Sequence, residues 1–478
     1  MSATPMNSLL GYATEHAMDH YGAAFSFWEP HLPGARIPWM RDRRRYAFDA
    51  FRLAGFPSPS KWEKWQHVPV DTLTEPLYRF PDREASRVEP AFPEPDRETL
   101  EALYLSEPDT HRLVFLNGYC VPQLSRLGKL PDGVIAGPLT EGLTIPAEAP
   151  AAKALKYHLD RYVRIPYSGF ALLNTAFFAD GAFIYLPPGK TVEAPVHLIF
   201  LSVFRNDAIM SLPRILVVAE ENSAVDVVES FASIGETGDT PHFTNAVTEV
   251  ALGPGARVNH CKLQTESARA ALHVALLAAH QDRDSRFVSH SVSAGALIAR
   301  NDVESTLDRE GCECTLDGLY VADGRQHVDH YTFVDHIHPH GTSTQHYKGI
   351  LAGRSHGVFN GKVYVYPDAQ HTNAKQRNEN LLLSRDARMD TKPQLDICAD
   401  DVQCAHGATV GQIDENMVFY LRSRGIAAEE AENLLTYGFA SEIVHRAPIA
   451  AVRTKLTDSV LAGALDHKFV GLKRTVDD

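Results

Sequence analysis

Residues 357–411, GVFNGKVYVYPDAQHTNAKQRNENLLLSRDARMDTKPQLDICADDVQCAHGATVG, decide the fold. Short runs rich in β-branched and aromatic residues, such as KVYVYP, alternate there with polar turn residues. In and just before this stretch, turn signals fall at Gly353, Asp368, Asp386 and Asp401, about 15–18 residues apart. Runs of this length and composition predict strands rather than helices.

The pattern extends upstream with a longer period. Turn signals at Pro188-Gly189, Asn222-Ser223, Pro254-Gly255 and Asp284-Ser285 are about 30–34 residues apart. Repeated short strands without helices between them predict stacked coils, each of which buries its face on the next. Two-residue hairpin signals are nearly absent here, which favours a parallel β-helix over a β-sandwich. The expected fold is mainly β with helical ends, and residues 126–411 form the β-helix core domain.

Residues 1–125 are predicted to form a mainly helical N-terminal domain. Asp96 is expected to cap a helix that runs through Leu105. The flanks of Asn117-Gly118 are typical of a β-hairpin with a type I′ turn. A further helix is expected near residues 151–162, and strands from Phe170 onward.

The C-terminal domain, residues 412–478, is predicted to be helical. Asp414 caps a first helix that ends at Gly425, and Pro448 separates a second helix from a third that runs from Ile449 to about Leu465. The second helix carries an apolar stripe that a small helical domain cannot bury completely, which leaves part of it for a partner. The stripe includes Leu434, Leu435, Phe439, Ile443 and Val444.

Composition narrows the function. The 478 residues carry a net charge of −14 with a pI of about 5.9, so clustered basic charge for nucleic acid is not expected. The basic runs at residues 41–45 and 61–64 are interpreted as solvated helix faces. No apolar run approaches the roughly 18–20 residues needed to span a bilayer. Six scattered cysteines and the lack of a signal-peptide pattern predict a cytoplasmic protein without a disulfide framework.

Cys404 and His406 are the leading functional candidates. Because strand side chains alternate, residues two apart point the same way. Both are ligand types for zinc, iron or iron–sulfur chemistry. Two ligands do not complete a site, so the pair predicts a half-site that needs another chain. The alternative is a buried cysteine packed beside a hydrogen-bonded histidine.

Two further groups contain metal-ligand residue types, but both are interpreted as structural. The first is a run of histidines at residues 327, 330, 336, 338 and 340, followed by His346 and His356. Residues 336, 338 and 340 of this run share strand parity. The glutamate that a cupin centre requires is missing between Glu313 and Glu379. The second is Cys312-Glu313-Cys314, a weak zinc signal without a partner pair. Cys261 and Cys120 are expected to be buried strand cysteines, and Cys398 has no assigned role.

Catalytic motifs are missing from the sequence. Gly189-Lys190-Thr191 resembles the end of a P-loop, but Ile184 occupies the position of its first glycine. The sequence also lacks G-x-G-x-x-G, H-E-x-x-H and G-x-S-x-G. Any ATP hydrolysis therefore belongs to a partner, and the chain is interpreted as a scaffold.

Long motifs of the chain resemble the SufD family, scaffold subunits of the SUF iron–sulfur cluster assembly machinery. They are the stretch at residues 357–411 quoted above, DENMVFYLRSRG at 414–425, GFPSPSKWEKW at 55–65, LVFLNGYCVPQLS at 113–125, LLNTAFFADGAFIYLPPGKTVEAPVHL at 172–198 and QHVDHYTFVDHIHPHGTSTQHYKGIL at 326–351. The resemblance covers most of the chain and implies a right-handed parallel β-helix between two helical domains.

The resemblance also implies roles. The histidine matching His406 is implicated in cluster assembly at an interface with SufB, where Cys404 also lies. The C-terminal helices, through the stripe named above, would dock the ATPase SufC. The chain would be a non-catalytic subunit of a SufBCD complex, required for cluster assembly and for iron acquisition. The isolated chain would hold no stable cofactor, whereas the complex would hold a transient cluster or iron; binding of a reduced flavin stays open.

Three alternatives remain at this stage. The sister subunit SufB shares the fold, but LNTAFFADG and YLRSRG resemble SufD more closely, and cysteine motifs of SufB-like chains are missing. A β-helix or cupin-like metalloenzyme would use the His327–His346 cluster. A purely structural β-helix homodimer would need neither partner.

Overall fold

Two facing sheets form the body of the protein in the computed structural model, which describes residues 18–58, 62–81, 97–107, 109–163, 169–203, 207–235 and 240–465. Sheet one contains β1 (His111–Leu116), β2 (Tyr119–Cys120), β5 (Val196–Val203), β8 (Ala224–Ile234), β10 (Arg257–Thr265), β12 (Arg286–Ser293), β14 (Glu313–Ala322), β16 (Thr342–Leu351), β18 (Asn373–Leu382) and β20 (Gln403–Gly411). Sheet two contains β3 (Ile135–Pro138), β4 (Gly181–Leu186), β6 (Ile209–Ser211), β7 (Arg214–Ala219), β9 (His242–Leu252), β11 (Ala271–Gln281), β13 (Ile298–Leu307), β15 (His327–His336), β17 (His356–Val365) and β19 (Arg388–Ile397).

From β7 onward the chain alternates between the sheets, and each strand pairs in parallel with its neighbours from the coils before and after it. The result is a parallel β-solenoid of about eight coils, which confirms the predicted β-helix. Two strands and two corners make one coil. The two spacings of turn signals in the sequence therefore describe the same repeat. The longer spacing is the distance between equivalent corners of successive coils, and the shorter spacing is the distance between the two corners of one coil.

At one corner of every coil before the last, a residue adopts the left-handed backbone conformation. These residues are Gly189, Asn222, Gly255, Asp284, Gly311, His340 and His371. The backbone N–H of each donates to a carbonyl at the same corner of the next coil, as from Asn222 to Pro254 and from His340 to Gln370. We call this stack the corner ladder. It locks consecutive coils in register where the strand ladders stop.

The interior of the solenoid contains a large apolar core, which buried polar side chains such as Glu229, His260 and Lys262 interrupt in the middle coils. Phe115, Phe200 and Phe231 lie opposite one another in three paired strands, with ring centroids 4.8 and 5.0 Å apart. Stacked identical side chains are the expected outcome of a parallel register, because equivalent positions of successive coils fall directly above one another.

Helices flank the solenoid, and most of them cover the outer face of a sheet. They are α1 (residues 18–28), α2 (Pro38–Ala54), α3 (Val70–Thr74), α4 (Arg97–Leu103), α5 (Leu139–Gly142), α6 (Pro150–His158), α7 (Gly169–Phe177), α8 (Glu415–Ser423), α9 (Ala428–Val444) and α10 (Ala450–Leu465). Residues of α1, α2, α6 and α7 share a core with the outer face of sheet two, and residues of α9 and α10 share one with sheet one. Among the described residues, no helix is long and apolar enough to cross a membrane.

Two local predictions are confirmed. Asn117 and Gly118 both have positive φ and join β1 to β2 as a two-residue hairpin. The Asp414 side chain accepts a hydrogen bond from the Asn416 N–H at the start of α8, and Gly425 beyond the end of that helix has a positive φ. The predicted cap Asp96 lies outside the described residues; a helix does begin at Arg97, but it ends at Leu103, before the predicted Leu105.

The segment after Phe170 is helical, contrary to the prediction of strands. Every residue of α7 is buried, so the helix has no polar face and its sequence lacks the amphipathic period that marks a surface helix. The helices on sheet two thus continue to Phe177, past the predicted boundary at residue 125. Conversely, β1 precedes that boundary but pairs in parallel with β5 in the solenoid.

The basic run at residues 41–45 is not uniformly solvated. Arg44 is completely buried, and its guanidinium donates to the carbonyls of Ala176 and Phe178 at 3.0 and 2.9 Å. These carbonyls lie at the end of α7, where backbone acceptors lack helical partners. Arg45, by contrast, is exposed and pairs with Glu29.

The corner ladder makes a prediction at Asn222. Replacing Asn222 with valine should lower the free energy of unfolding by about 1–2 kcal/mol, because a β-branched residue is strained at positive φ. Replacement with glycine removes the same side chain but tolerates this backbone, so it should leave stability nearly unchanged. Denaturant unfolding of the two variants checks this; equal losses would show that the side chain, not the backbone, matters.

Candidate functional site

The last coil of the solenoid carries Cys404 and His406. In the pairing of β20 with β18, Cys404 lies opposite Ala374 and His406 opposite Gln376. Both residues of β18 are buried, so Cys404 and His406 occupy the inward-facing positions of their strand, as their spacing predicts. Because β20 ends its sheet among the described strands, this inward face opens to solvent.

The two side chains have different environments. Cys404 is half-buried against the apolar interior, and burial raises the pKa of its thiol. His406 is exposed. Within the described ranges, neither belongs to a group of three or more potential metal ligands. The chain therefore supplies a thiol and an imidazole here, and further ligands would have to come from elsewhere.

The packing at this end of the solenoid is also incomplete. Ile397 lies opposite Val365, and Val410 opposite Asn380, both of which are buried. Ile397 and Val410 are nevertheless 40% and 44% exposed. β19 and β20 are also the last strands of their sheets among the described residues. Unpaired edges with exposed apolar side chains favour pairing with another chain.

The C-terminal helices are fixed to sheet one by charged contacts. Lys348 donates to Glu442 at 2.5 Å. Arg446, in the link between α9 and α10, makes two hydrogen bonds with the buried Asp317 at 2.9 and 3.1 Å. These contacts determine which face of α9 packs on the solenoid.

The structure corrects part of the predicted docking stripe. Ile443 and Val444 are buried in the core between α9 and sheet one, so they are not available to a partner. Leu434 is 46% exposed, and Leu435 and Phe439 are partly exposed. The stripe was assigned as one surface because helical spacing cannot tell which end of it packs internally.

Larger exposed apolar side chains lie on α8, which sequence analysis did not assign to docking. Met417, Phe419 and Tyr420 are 55%, 72% and 57% exposed. α8 has no buried residue. The available signal in the sequence was the run MVFYL, because it carries more apolar residues than one face of a short helix can bury.

Comparison with known proteins covers both the solenoid and its helical ends. A family model described as the SUF system FeS cluster assembly SufBD core domain matches residues 202–439, and one described as the SufBD protein N-terminal region matches residues 16–198. The chain belongs to the SufBD family. The core match includes Cys404, His406 and α8.

Relatives of this SufBD chain carry related names. An iron–sulfur cluster assembly SufBD family protein of Synechocystis is 37% identical over 75% of this chain and 79% of its own length. The iron–sulfur cluster assembly protein SufD of Bacillus subtilis is 30% identical over 91% of this chain and 95% of its own. Protein ABCI7, chloroplastic, of Arabidopsis thaliana is 31% identical over 90% and 86%.

The histidine run of this SufBD chain does not converge on one centre. His330 and His336 face the interior of the solenoid, where burial lowers their pKa to about 3 and about 4. His346 lies under α9 on the outer face of sheet one, bonded to Glu379 at 2.9 Å. His327 lies on the outer face of sheet two, beside His356. The cupin-like arrangement therefore does not form.

The predicted strand parity of the run also fails near its end. β15 ends at His336, so His338 and His340 follow the turn into the corner and not the strand. His340 is a corner-ladder residue, and its ring stacks on that of His371 at 4.9 Å. A structural use for this part of the run is thus visible in the fold.

The remaining cysteines have distinct environments. Cys312 and Cys314 are buried, and burial raises their pKa to about 11 and about 12. They pack in the interior, as interpreted from the sequence. Cys261 is a buried strand residue, whereas Cys120 is only half-buried.

Cys398 is exposed after β19, and its Sγ lies 3.6 Å from Tyr364 Oη. It follows a strand of sheet two, whereas Cys404 lies in sheet one. The corner at residues 400–401 therefore breaks the strand register between the two cysteines.

Loss of Arg446 should destabilise the C-terminal helices more at pH 7 than at pH 4. Burial already raises the pKa of Asp317. As the pH rises above the ordinary pKa of a carboxyl group, the folded state must therefore accommodate a buried charge, and this lowers its stability. Arg446→Leu would remove the compensating cation and cost about 1–3 kcal/mol at neutral pH. Hydrogen exchange of α9 and α10 at the two pH values measures this.

The matched control is Arg309→Leu, which breaks an exposed Arg–Asp pair at 2.9 Å and should cost under about 1 kcal/mol. A pH-independent defect in the Arg446 variant would contradict the assignment to Asp317.

Proposed function

We propose that this chain is a non-catalytic scaffold subunit of a SUF complex, and that iron–sulfur clusters form where its last coil meets a second β-helix subunit of the SufB type. The observation that carries the proposal is the open coil, with Cys404 and His406 facing an end whose backbone and apolar residues lack partners among the described strands. The last coil of a second subunit would supply strands and ligands together.

The two ligands suit a cluster that forms and leaves. Thiolate and imidazole both bind iron, and only two protein ligands leave open positions for sulfide and for the partner's side chains. Because burial raises the pKa of the Cys404 thiol, iron must displace its proton. Coordination therefore depends on iron being present, which suits transient occupancy better than a resident centre. Iron is the cargo of this reaction.

The proposal assigns the energy source to an ABC-type ATPase of the SufC type, docked on the C-terminal helices. The exposed apolar residues of α8, with Leu434 of α9, are the surface that supports this docking. Nucleotide states of the ATPase would act by having different affinities for two arrangements of the scaffold. The six cysteines, all free, support a reducing compartment such as the cytoplasm.

Replacing His406 with alanine should leave folding and complex formation intact and abolish cluster formation in cells. The side chain is exposed, so its loss creates no cavity, whereas it removes one of the two ligands. Cluster content of the co-purified complex, measured by iron and sulfide analysis, checks the prediction.

Thr409→Ala is the matched control, since Thr409 lies on the same strand at an outward position. Normal cluster yield from the His406 variant, or an equal loss from the Thr409 variant, would contradict the role of His406.

Replacing Phe419 with glutamate should reduce co-purification of the ATPase at least tenfold, because a charge would be buried in an apolar interface. Leu53→Glu changes an even more exposed apolar residue, in α2 of the N-terminal region, and should have no effect. Retention of the ATPase by the Phe419 variant would show that α8 is not part of the docking surface. The role of Cys404 and His406 is tested separately by the His406 variant.

A further inference from the structure

A second group of metal-ligating side chains lies away from the last coil's inward face. His67 follows the 3-10 turn Glu63–Trp65, His356 begins β17, and Asp390 lies in β19. One ligand atom from each lies within 4.8 Å of the others. The group brings together three parts of the chain that are far apart in the sequence.

The distances suit a shared ion. His356 Nε2 lies 2.7 Å and His67 Nδ1 lies 3.7 Å from the same Asp390 oxygen. Ligands at about 2.1 Å from a common ion are roughly 3.0–3.4 Å apart in octahedral or tetrahedral geometry, and the two observed distances bracket that range. Asp390 occupies the outer face because His356 pairs with Arg388, two residues before it.

The surroundings supply outer hydrogen-bonding groups. The amide nitrogen of Gln66 lies 2.7 Å from His67 Nε2. If the amide is turned over, its oxygen accepts a hydrogen bond from the Nε2–H of His67, and Nδ1 is then free to bind a metal ion. The ring of His327 lies edge-on to that of His356 at 4.9 Å. His327 is buried, and its Nε2 has no hydrogen-bond partner among the described residues. An ion or its water would satisfy such an atom.

The only other three-residue group found among the described residues is already neutralised. His346, Glu379 and Glu442 surround Lys348, whose ammonium lies 3.7 Å from Glu379 and 2.5 Å from Glu442. Arg377 adds a second cation at 2.6 Å from Glu379. Near Asp390, by contrast, Lys392 is paired with Glu63.

We infer that His67, His356 and Asp390 form a binding site for one divalent transition-metal ion. Two imidazoles and one carboxylate with open positions are typical of Fe²⁺ or Zn²⁺. The ion would join the N-terminal segment to the last two strands of sheet two. This site is independent of the proposed function, since it uses neither Cys404 nor His406 and needs no partner.

The test is anaerobic titration of the full chain with Co²⁺, followed by its visible absorption bands. One equivalent should bind, and His356→Ala or Asp390→Asn should weaken binding at least 100-fold. Gln66→Ala should weaken it about tenfold if it orients His67. Binding should also raise the thermal unfolding midpoint of the parent chain but not of the His356 variant.

The double variant His340→Gly/His371→Gly is the matched control, because it removes another surface histidine pair with acidic neighbours and tolerates the left-handed backbone at both positions. It should bind Co²⁺ normally, as should His406→Ala. Failure of the parent to bind, unchanged binding by the His356 variant, or loss of binding in either control overturns the site. Loss in His406→Ala alone would place the metal at the last coil.

Discussion

The parallel register between consecutive coils is the constraint on which the rest of the structure depends. Each strand finds its hydrogen-bond partners in the coils before and after it, so a one-residue slip in any coil would turn inward-facing side chains outward. The corner ladder holds this register at points where the strands end. Stacked phenylalanines and the inward positions of Cys404 and His406 both follow from it.

The register also determines where the helices go. Each sheet has an outer face whose apolar residues need cover, and the two ends of the chain supply one layer each. The sides of the solenoid are thereby closed, and its final coil stays open. In this way the topology sets the position of Cys404 and His406, because an identical pair in an internal coil would be buried between neighbouring coils.

Local chemistry explains which features could be predicted from the sequence. The Asn117-Gly118 turn, the Asp414 cap and the shared face of Cys404 and His406 each depend on a few adjacent residues. The repeat was visible because every coil needs turn residues at similar places. The exposure of His406 could not be predicted, since it depends on β20 being the last strand of its sheet among the described residues.

Long-range packing accounts for the predictions that failed. Ile443 and Val444 follow the same helical stripe as Leu434, yet only contact with sheet one separates the buried end from the exposed one. Arg44 looked solvated because its acceptors belong to a helix more than a hundred residues away. Likewise, α7 is buried on all sides, so amphipathic spacing gave no sign of it.

The open coil has a thermodynamic consequence. In a linear stack, the stability of each unit is the sum of its own term and the terms for its interfaces with neighbours. The last coil has one such interface where internal coils have two, so it should fray first and exchange its amide hydrogens fastest. Cys404 and His406 thus lie on the coil that is stabilised by the fewest interfaces. A partner that completes the stack would order this coil as it binds, which couples the rigidity of the site to assembly itself.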